Sequence, residues 1–301
     1  MPIVQLHQIR KLYDTKVAVE GLTLSIEAGS MFGLLGPNGS GKSSSIRMMI
    51  GITRPDSGTV RLFNQPFSRA ALPRIGYLPE ERGLYKKMNV LEQLVFLGQL
   101  HALGADDAAK RAKSWCEKLQ IAEAIGKKTE ELSKGMQQKI QFIAALLHEP
   151  ELIIMDEPFS GLDPVNAALL MDTLLDQRKQ GRAILFSTHR MDQVERFCDE
   201  IALLYKGKLV LEGSMRDVKS RYSANRLHVN FTGDASFLDH PAIAKFKIFG
   251  ERAEITLHDS EGAQLVLHQA VSRGTRFTRF EVMEPTLEEI FIETVGENVD
   301  A

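Results

Sequence analysis

The chain has 301 residues, a formal net charge of −2, and 44% hydrophobic and 25% charged residues, which suits an ordinary folded protein of one large domain or two smaller ones. The near-neutral balance gives no global pull toward nucleic acid or an anionic membrane surface, so no nucleic-acid partner is expected. No stretch approaches the roughly 20 consecutive apolar residues of a membrane-spanning helix, and Met1-Pro2-Ile3-Val4-Gln5 lacks the basic-then-apolar order of a signal peptide.

Early in the chain, Leu22, Leu24 and Ile26 alternate with Thr23 and Ser25, the period of a half-buried strand. Met31-Phe32-Gly33-Leu34-Leu35 is a short apolar run that leads into glycines. Residues 43–50 have helical spacing, and residues 58–63 return to strand character. Residues 90–148 are rich in Ala, Leu, Gln, Glu and Lys, with Leu91, Leu94, Val95 and Leu97 at helical spacing, and predict a helical insertion. Strands are expected at 152–155, 183–187 and 201–204, alternating with helices at about 164–180 and 190–198. That alternation predicts an α/β fold with a mainly parallel sheet covered by helices. The two cysteines, Cys116 and Cys198, lie far apart without metal-ligand spacing and read as reduced thiols or small buried hydrophobes.

The character changes near residues 213–223. Residues 226–232 alternate as a strand does. A short helix, strands at about 244–249 and 252–258, a helix at about 261–272 and a strand at about 276–283 are expected next. A last helix should follow Pro285, with Thr286 as its N-cap and Glu289 at the capping-box position. This βαββαβ order predicts a small ferredoxin-like α+β domain. The expected division is 1–215 for the first domain, with its helical part at about 85–148, and 222–301 for the second.

Gly36-Pro37-Asn38-Gly39-Ser40-Gly41-Lys42-Ser43 matches G-x-x-x-x-G-K-[ST] between an apolar strand and a helix, the context a phosphate-binding loop requires. Glycines let successive backbone N–H groups turn toward phosphate oxygens, and the helix N-terminus adds a favourable dipole. Lys42 can neutralise the β- and γ-phosphates, the Ser43 hydroxyl can ligate Mg²⁺, and Ser44 extends the loop. Further on, Leu152-Ile153-Ile154-Met155-Asp156-Glu157 is an apolar strand that ends in two carboxylates. Asp156 at the strand end can reach the Mg²⁺ shell, and Glu157 can orient or deprotonate a water. Taken alone, such a pair can also cap a loop.

Leu132-Ser133-Lys134-Gly135-Met136-Gln137-Gln138-Lys139 leads into the apolar run 140–147, with Ser133 placed as an N-cap. With this run the chain resembles the ABC ATPase family, over roughly residues 1–215. The family's signature is Leu-Ser-Gly-Gly-Gln in its common form; this chain has Lys134 at the first glycine, and Met136 precedes Gln137. The resemblance implies a phosphate-loop fold with a mainly parallel core sheet, an antiparallel β subdomain and a helical insertion. It implies ATP and Mg²⁺, and two subunits, expected to be identical, that clamp ATP head to tail. In that arrangement Ser133, Gly135 and Gln137 of one subunit meet the nucleotide held by Lys42 of the other. Ser160-Gly161-Leu162-Asp163 resembles the family's D-loop, placing Asp163 near nucleotide, and His189 resembles the switch histidine. Lys42, Glu157 and His189 are thus the expected catalytic set. Tyr13 resembles the aromatic residue on which adenine stacks, although a tyrosine there can also simply pack.

Ile75-Gly76-Tyr77-Leu78-Pro79-Glu80 resembles the Q-loop, with Glu80 where most of the family has glutamine. Ser43, Glu80 and Asp156 are the expected Mg²⁺ ligands. Glu80-Glu81-Arg82-Gly83-Leu84-Tyr85 resembles a subgroup of bacterial exporter ATPases, including sodium-extrusion types. Those carry a small C-terminal domain ending in a stretch like Pro285-Thr286-Leu287-Glu288-Glu289-Ile290-Phe291. The resemblance therefore implies a cytoplasmic subunit that is peripheral on the inner membrane face through a separate permease. The alternative is a soluble ABC ATPase of assembly or repair. The 80–85 loop is expected to couple to the membrane partner, or else to pack Leu84 and Tyr85 onto the helical insertion.

Overall fold

The computed structural model describes residues 1–81, 83–222 and 225–297. Arg82 of the 80–85 loop and the end of the second expected domain lie outside the described residues. The chain divides into two compact units, Met1–Gly213 and Ser214–Ala301.

The first unit opens with β1 (Pro2–Tyr13) and β2 (Lys16–Glu27), paired antiparallel, then β3 (Met31–Leu35) and α1 (Lys42–Met49). Strands β4 (Ser57–Leu62), β5 (Gln65–Pro66) and β6 (Ile75–Leu78) follow. The helical insertion is α2 (Val90–Leu100), α3 (Ala105–Lys118) and α4 (Lys134–Leu146). Next come β7 (Leu152–Asp156), α5 (Pro164–Lys179), β8 (Ala183–Thr188), α6 (Met191–Phe197), β9 (Glu200–Tyr205) and β10 (Lys208–Ser214).

These strands form two sheets, an antiparallel one in the order β2-β1-β4-β5 and a larger one in the order β10-β9-β3-β8-β7-β6. Within the second, β9, β3, β8, β7 and β6 run parallel. A parallel sheet covered on both faces needs continuous apolar strands, and every residue of β3, β7 and β8 is buried. The alternating apolar residues of β1 and β2, among them Leu6, Leu22, Leu24 and Ile26, share a core with Phe32, Leu34, Ile154 and Leu185 of the parallel sheet. Each such side chain contributes about 1.5–3 kcal/mol by leaving water. Because the strands are parallel, their carboxyl ends lie along one edge, where an α/β sheet holds its ligands. In α3, Ala108, Ala112 and Cys116 are buried at a four-residue spacing, one helix face. Burial pushes the Cys116 thiol up to about 11, and Cys198 is likewise buried and free, so both are inert hydrophobes.

The second unit contains α7 (Met215–Ser220), β11 (Arg226–Thr232), β12 (Ile243–Phe249), β13 (Arg252–Leu257), α8 (Gly262–Ser272), β14 (Arg276–Met283) and α9 (Leu287–Glu297). Its sheet has the order β12-β13-β11-β14 with antiparallel neighbours, the split arrangement that the βαββαβ reading predicts. One element differs. The expected short helix between β11 and β12 is a four-residue 3-10 turn, Ser236–Asp239, which lays Phe237 edge-on to Phe231 at 5.0 Å and to Phe277 at 5.4 Å. So short a crossover leaves the edge strand thinly covered. Phe246 and Ile248 pair with Ile255 and Ala253 on the core side yet remain 42% and 45% exposed. Thr286 and Glu289 form the expected reciprocal cap: each backbone N–H donates to the other's side chain, at 3.1 and 3.3 Å.

Candidate active site

The phosphate loop runs from the end of β3 to the start of α1. Two of its glycines, Gly36 and Gly41, are required by close backbone approach. A Cβ on Gly36 would lie 2.2 Å from the Leu204 carbonyl oxygen, and one on Gly41, at φ 110°, 2.5 Å from that of Ala18. Lys42 is buried, and its Nζ donates to the carbonyls of Gly36 at 2.7 Å and Pro37 at 3.2 Å. Burial holds its pKa below the usual 10.5, against the opposing pull of Glu157, Asp156 and Glu80. The Ser40 hydroxyl is buried without a hydrogen-bond partner, an orphan that a phosphate oxygen would satisfy.

A cavity of about 500 Å³ opens over this loop. Besides the loop residues 38–44, its lining includes Tyr13, Lys16, Glu80, Asp156 and Glu157. Asp156 is buried at the end of β7 and accepts from the Ser187 hydroxyl of the neighbouring strand. Glu157 takes φ 49°, a left-handed conformation that costs a non-glycine residue about 1–2 kcal/mol. Its N–H donates to the Ser187 carbonyl at 3.0 Å. One carboxylate oxygen accepts from the His189 backbone N–H at 3.0 Å and meets His189 Nδ1 at 2.9 Å. The other accepts from the Thr188 hydroxyl at 3.2 Å. The strain and these three contacts aim one carboxylate along the carboxyl edge of the sheet. Nearby, burial together with the charges of Asp156 and Glu80 pushes the Tyr77 hydroxyl up to about 12. Ser43, Glu80 and Asp156 are hard oxygen donors that suit Mg²⁺. Among the described residues, no group of three or more His, Cys, Asp or Glu side chains is arranged to hold a metal alone.

The remaining expected nucleotide residues do not line this cavity. Ser133 caps α4, its hydroxyl accepting from Met136 N–H at 3.2 Å, and Ser133 and Lys134 are exposed. Gly135 faces Leu162, 3.5 Å from where its Cβ would sit. Gln137 donates to the carbonyls of Thr129 and Leu132, both at 3.1 Å, and so braces the turn before Ser133. Asp163 caps α5, accepting from the N–H groups of Val165 and Asn166.

Several buried polar residues complete the surroundings without a sequence signal. Gln93 is fully buried; its Oε1 accepts from Tyr85 N–H, and its amide donates to the Thr129 hydroxyl at 3.0 Å. Gln138 donates to the Pro158 carbonyl at 3.0 Å and Gln141 to the Glu81 carbonyl at 3.4 Å. A second, apolar groove of about 380 Å³ adjoins the 80–85 loop and is lined by Ile50, Ile52, Leu72, Tyr77, Leu84 and His101, among others. Tyr85 meets Phe96 edge-on at 5.9 Å and stays 54% exposed.

The first unit matches a family profile described as "ABC transporter" over residues 19–160. The second matches "ATP-binding protein DrrA1-3-like, C-terminal domain" over residues 213–295. An uncharacterized ABC transporter ATP-binding protein of Bacillus subtilis, YhaQ, is 41% identical over 98% of this chain and 99% of its own. The Nod factor export ATP-binding protein I of Burkholderia lata is 30% identical over 98% of both chains. A solved ATP-binding subunit of an ABC transporter superposes with a TM-score of 0.68 at 28% identity, covering 73% of this chain and 92% of that one. With the phosphate loop, the strand-end carboxylates and the helical insertion in the cassette's order, the chain belongs to the ATP-hydrolysing, ATP-binding subunits of ABC transporters.

Proposed function

We propose that the chain powers an exporter: two copies close head to tail on two ATP molecules, and closure drives a separate permease between its inward- and outward-facing states. One observation carries this reading. Lys42, Ser43, Glu80, Asp156 and Glu157 line one cavity, while the α4 start, with Ser133 and Lys134 exposed and Gly135 half-buried, stands outside it. A chain that carries both parts of a site without joining them is completed by a second cassette, read here as another copy of itself.

In this reading Tyr13 stacks on the base, and residues 36–44 with Lys42 hold the phosphates. Ser133, Gly135, Gln137 and Asp163 of the second copy complete the enclosure. Ser43, Glu80 and Asp156 hold Mg²⁺, which when bound neutralises phosphate charge. Glu157 takes a proton from the attacking water as the water oxygen bonds to the γ-phosphorus and ADP leaves. Such a base is worth about 10²–10⁴-fold. His189 orients Glu157 through Nδ1. In this reading the permease is another chain and this one works at the cytoplasmic face through it; among the described residues no helix is long and apolar enough to cross a membrane. The apolar groove beside Leu84 and Tyr85 suits that partner. The DrrA-like second unit and the Nod factor export relative support the export direction.

Glu157→Gln tests the reading. The variant should keep ATP binding, lose turnover by about 10²-fold or more, and accumulate an ATP-bound dimer visible by light scattering. Near wild-type turnover would refute the role of Glu157.

A further inference from the structure

Helix α4 is anchored to the candidate site at two points beyond its capped start. Gln138 and Gln141 are three residues apart, so both side chains leave the same helix face. Both are buried, at 4% and 6% exposure, which is unusual for glutamine and demands partners. Gln138 Nε2 donates to the carbonyl of Pro158, the residue after Glu157. Gln141 Nε2 donates to the carbonyl of Glu81, the residue after Glu80. The two partners lie on the loops that follow β7 and β6, and each sits one residue beyond a carboxylate that lines the cavity. The two bonds differ. The Gln138 contact is short, whereas the Gln141 contact is long at 3.4 Å and its Oε1 is buried with no partner. A half-satisfied buried amide gains a bond only if the loop beside it brings up a donor.

We propose that Gln138 and Gln141 are positioning residues for ATP hydrolysis. Gln138 fixes the Glu157 loop to α4, and Gln141 is a looser tie whose bonding changes as the Glu80 loop moves. Displacement of the α4 start is thereby transmitted to both carboxylates. The inference rests on the proposed roles of Glu80 and Glu157.

Gln138→Met and Gln141→Met keep side-chain length and remove the amide. The full-length variants should bind mant-ATP with Mg²⁺ within about twofold of wild type, while kcat falls about 5–10-fold, the rate equivalent of one hydrogen bond lost in the transition state. Gln141→Met also removes an unpartnered buried acceptor, so its melting temperature should stay level or rise while kcat falls. A purely structural glutamine cannot produce that opposition. The proposal is overturned if kcat stays within twofold in both folded variants, if mant-ATP affinity falls as much as kcat, or if Gln141→Met melts lower. Glu157→Gln is assayed alongside. If it turns over normally, the reading of Glu157 has failed; if it is dead while both Met variants are normal, the positioning role alone has failed.

Discussion

The nucleotide cavity and the start of α4 are two parts of one proposed machine, and the chain treats them differently. At the cavity, backbone strain, buried charge and hydrogen bonds converge: Glu157 is held at φ 49° by Ser187, Thr188 and His189, and Lys42 is buried against carbonyls. At the α4 start, Ser133 and Lys134 face solvent and only Ser133 is tied, to its own helix. A preorganised half lowers the cost of placing charge at the reacting atoms. An exposed half is positioned by whatever docks on it.

The sharpest way to break that comparison is to injure the halves separately. Lys42→Ala and Ser133→Arg subunits should each retain on the order of 1% of wild-type turnover or less. Mixed one to one, they should recover roughly a quarter, because half of randomly formed dimers are mixed and each of those carries one intact site. If mixing restores nothing although mixed dimers demonstrably form, the head-to-tail assignment is wrong or the two sites are strictly interdependent.

A smaller effect is expected at the 80–85 loop. Tyr85→Ala removes a ring that is half exposed but rests on Phe96, so stability should fall by only about 1 kcal/mol. Turnover of the isolated subunit should hardly change, whereas permease binding, or transport per ATP hydrolysed, should drop several-fold. A variant that is measurably destabilised yet fully coupled would leave Tyr85 as packing alone.

The smallest effect concerns the groove wall. His148 stacks on His101 with ring centroids 3.7 Å apart and makes a 3.0 Å contact from Nε2 to the Ile75 carbonyl. Burial first, then the neighbouring His101, Arg182 and Arg111, pushes its pKa down from 6.5 to about 4. Between those values the unfolded chain binds a proton that the folded chain refuses. Stability from this group is therefore intact above pH 6.5 and is lost as pH falls toward about 4. His148→Phe, which keeps a stackable ring, should flatten that acid slope in pH-dependent melting. An unchanged slope would assign the acid sensitivity to other groups.

How much of this was legible in the sequence follows from the physics of each element. Strands β3, β7 and β8 are buried on both faces and so are written as apolar runs, and phosphate binding fixes the spacing of residues 36–43. Strand β1 was not legible by alternation. Val4 and Leu6 are buried in phase, then Gln8 takes φ 48° and the register shifts, so Ile9 continues the buried side out of phase. Order along the chain located Glu157 and His189, but their 2.9 Å contact, across 32 residues, is a product of β7 and β8 lying side by side. Gln93, Gln138 and Gln141 look like ordinary helix-surface residues in sequence, because burial of an amide depends on tertiary partners that no local pattern encodes.

The thinly covered edge of the second unit has a consequence for solubility. The short turn Ser236–Asp239 leaves Phe246 and Ile248 accessible on a strand whose outer rim pairs with no other strand of its sheet. Accessible apolar residues on such a rim template aggregation. Lys245 and Lys247 flank Phe246 in the chain, on the opposite face of the strand. A second copy adding antiparallel about Phe246 would set Lys245 of each chain against Lys247 of the other, a like-charge register that penalises stacking of the chain on itself. Lys245→Gln with Lys247→Gln should therefore raise aggregation of the chain, read by light scattering on heating; unchanged scattering would deny the two lysines that protective role.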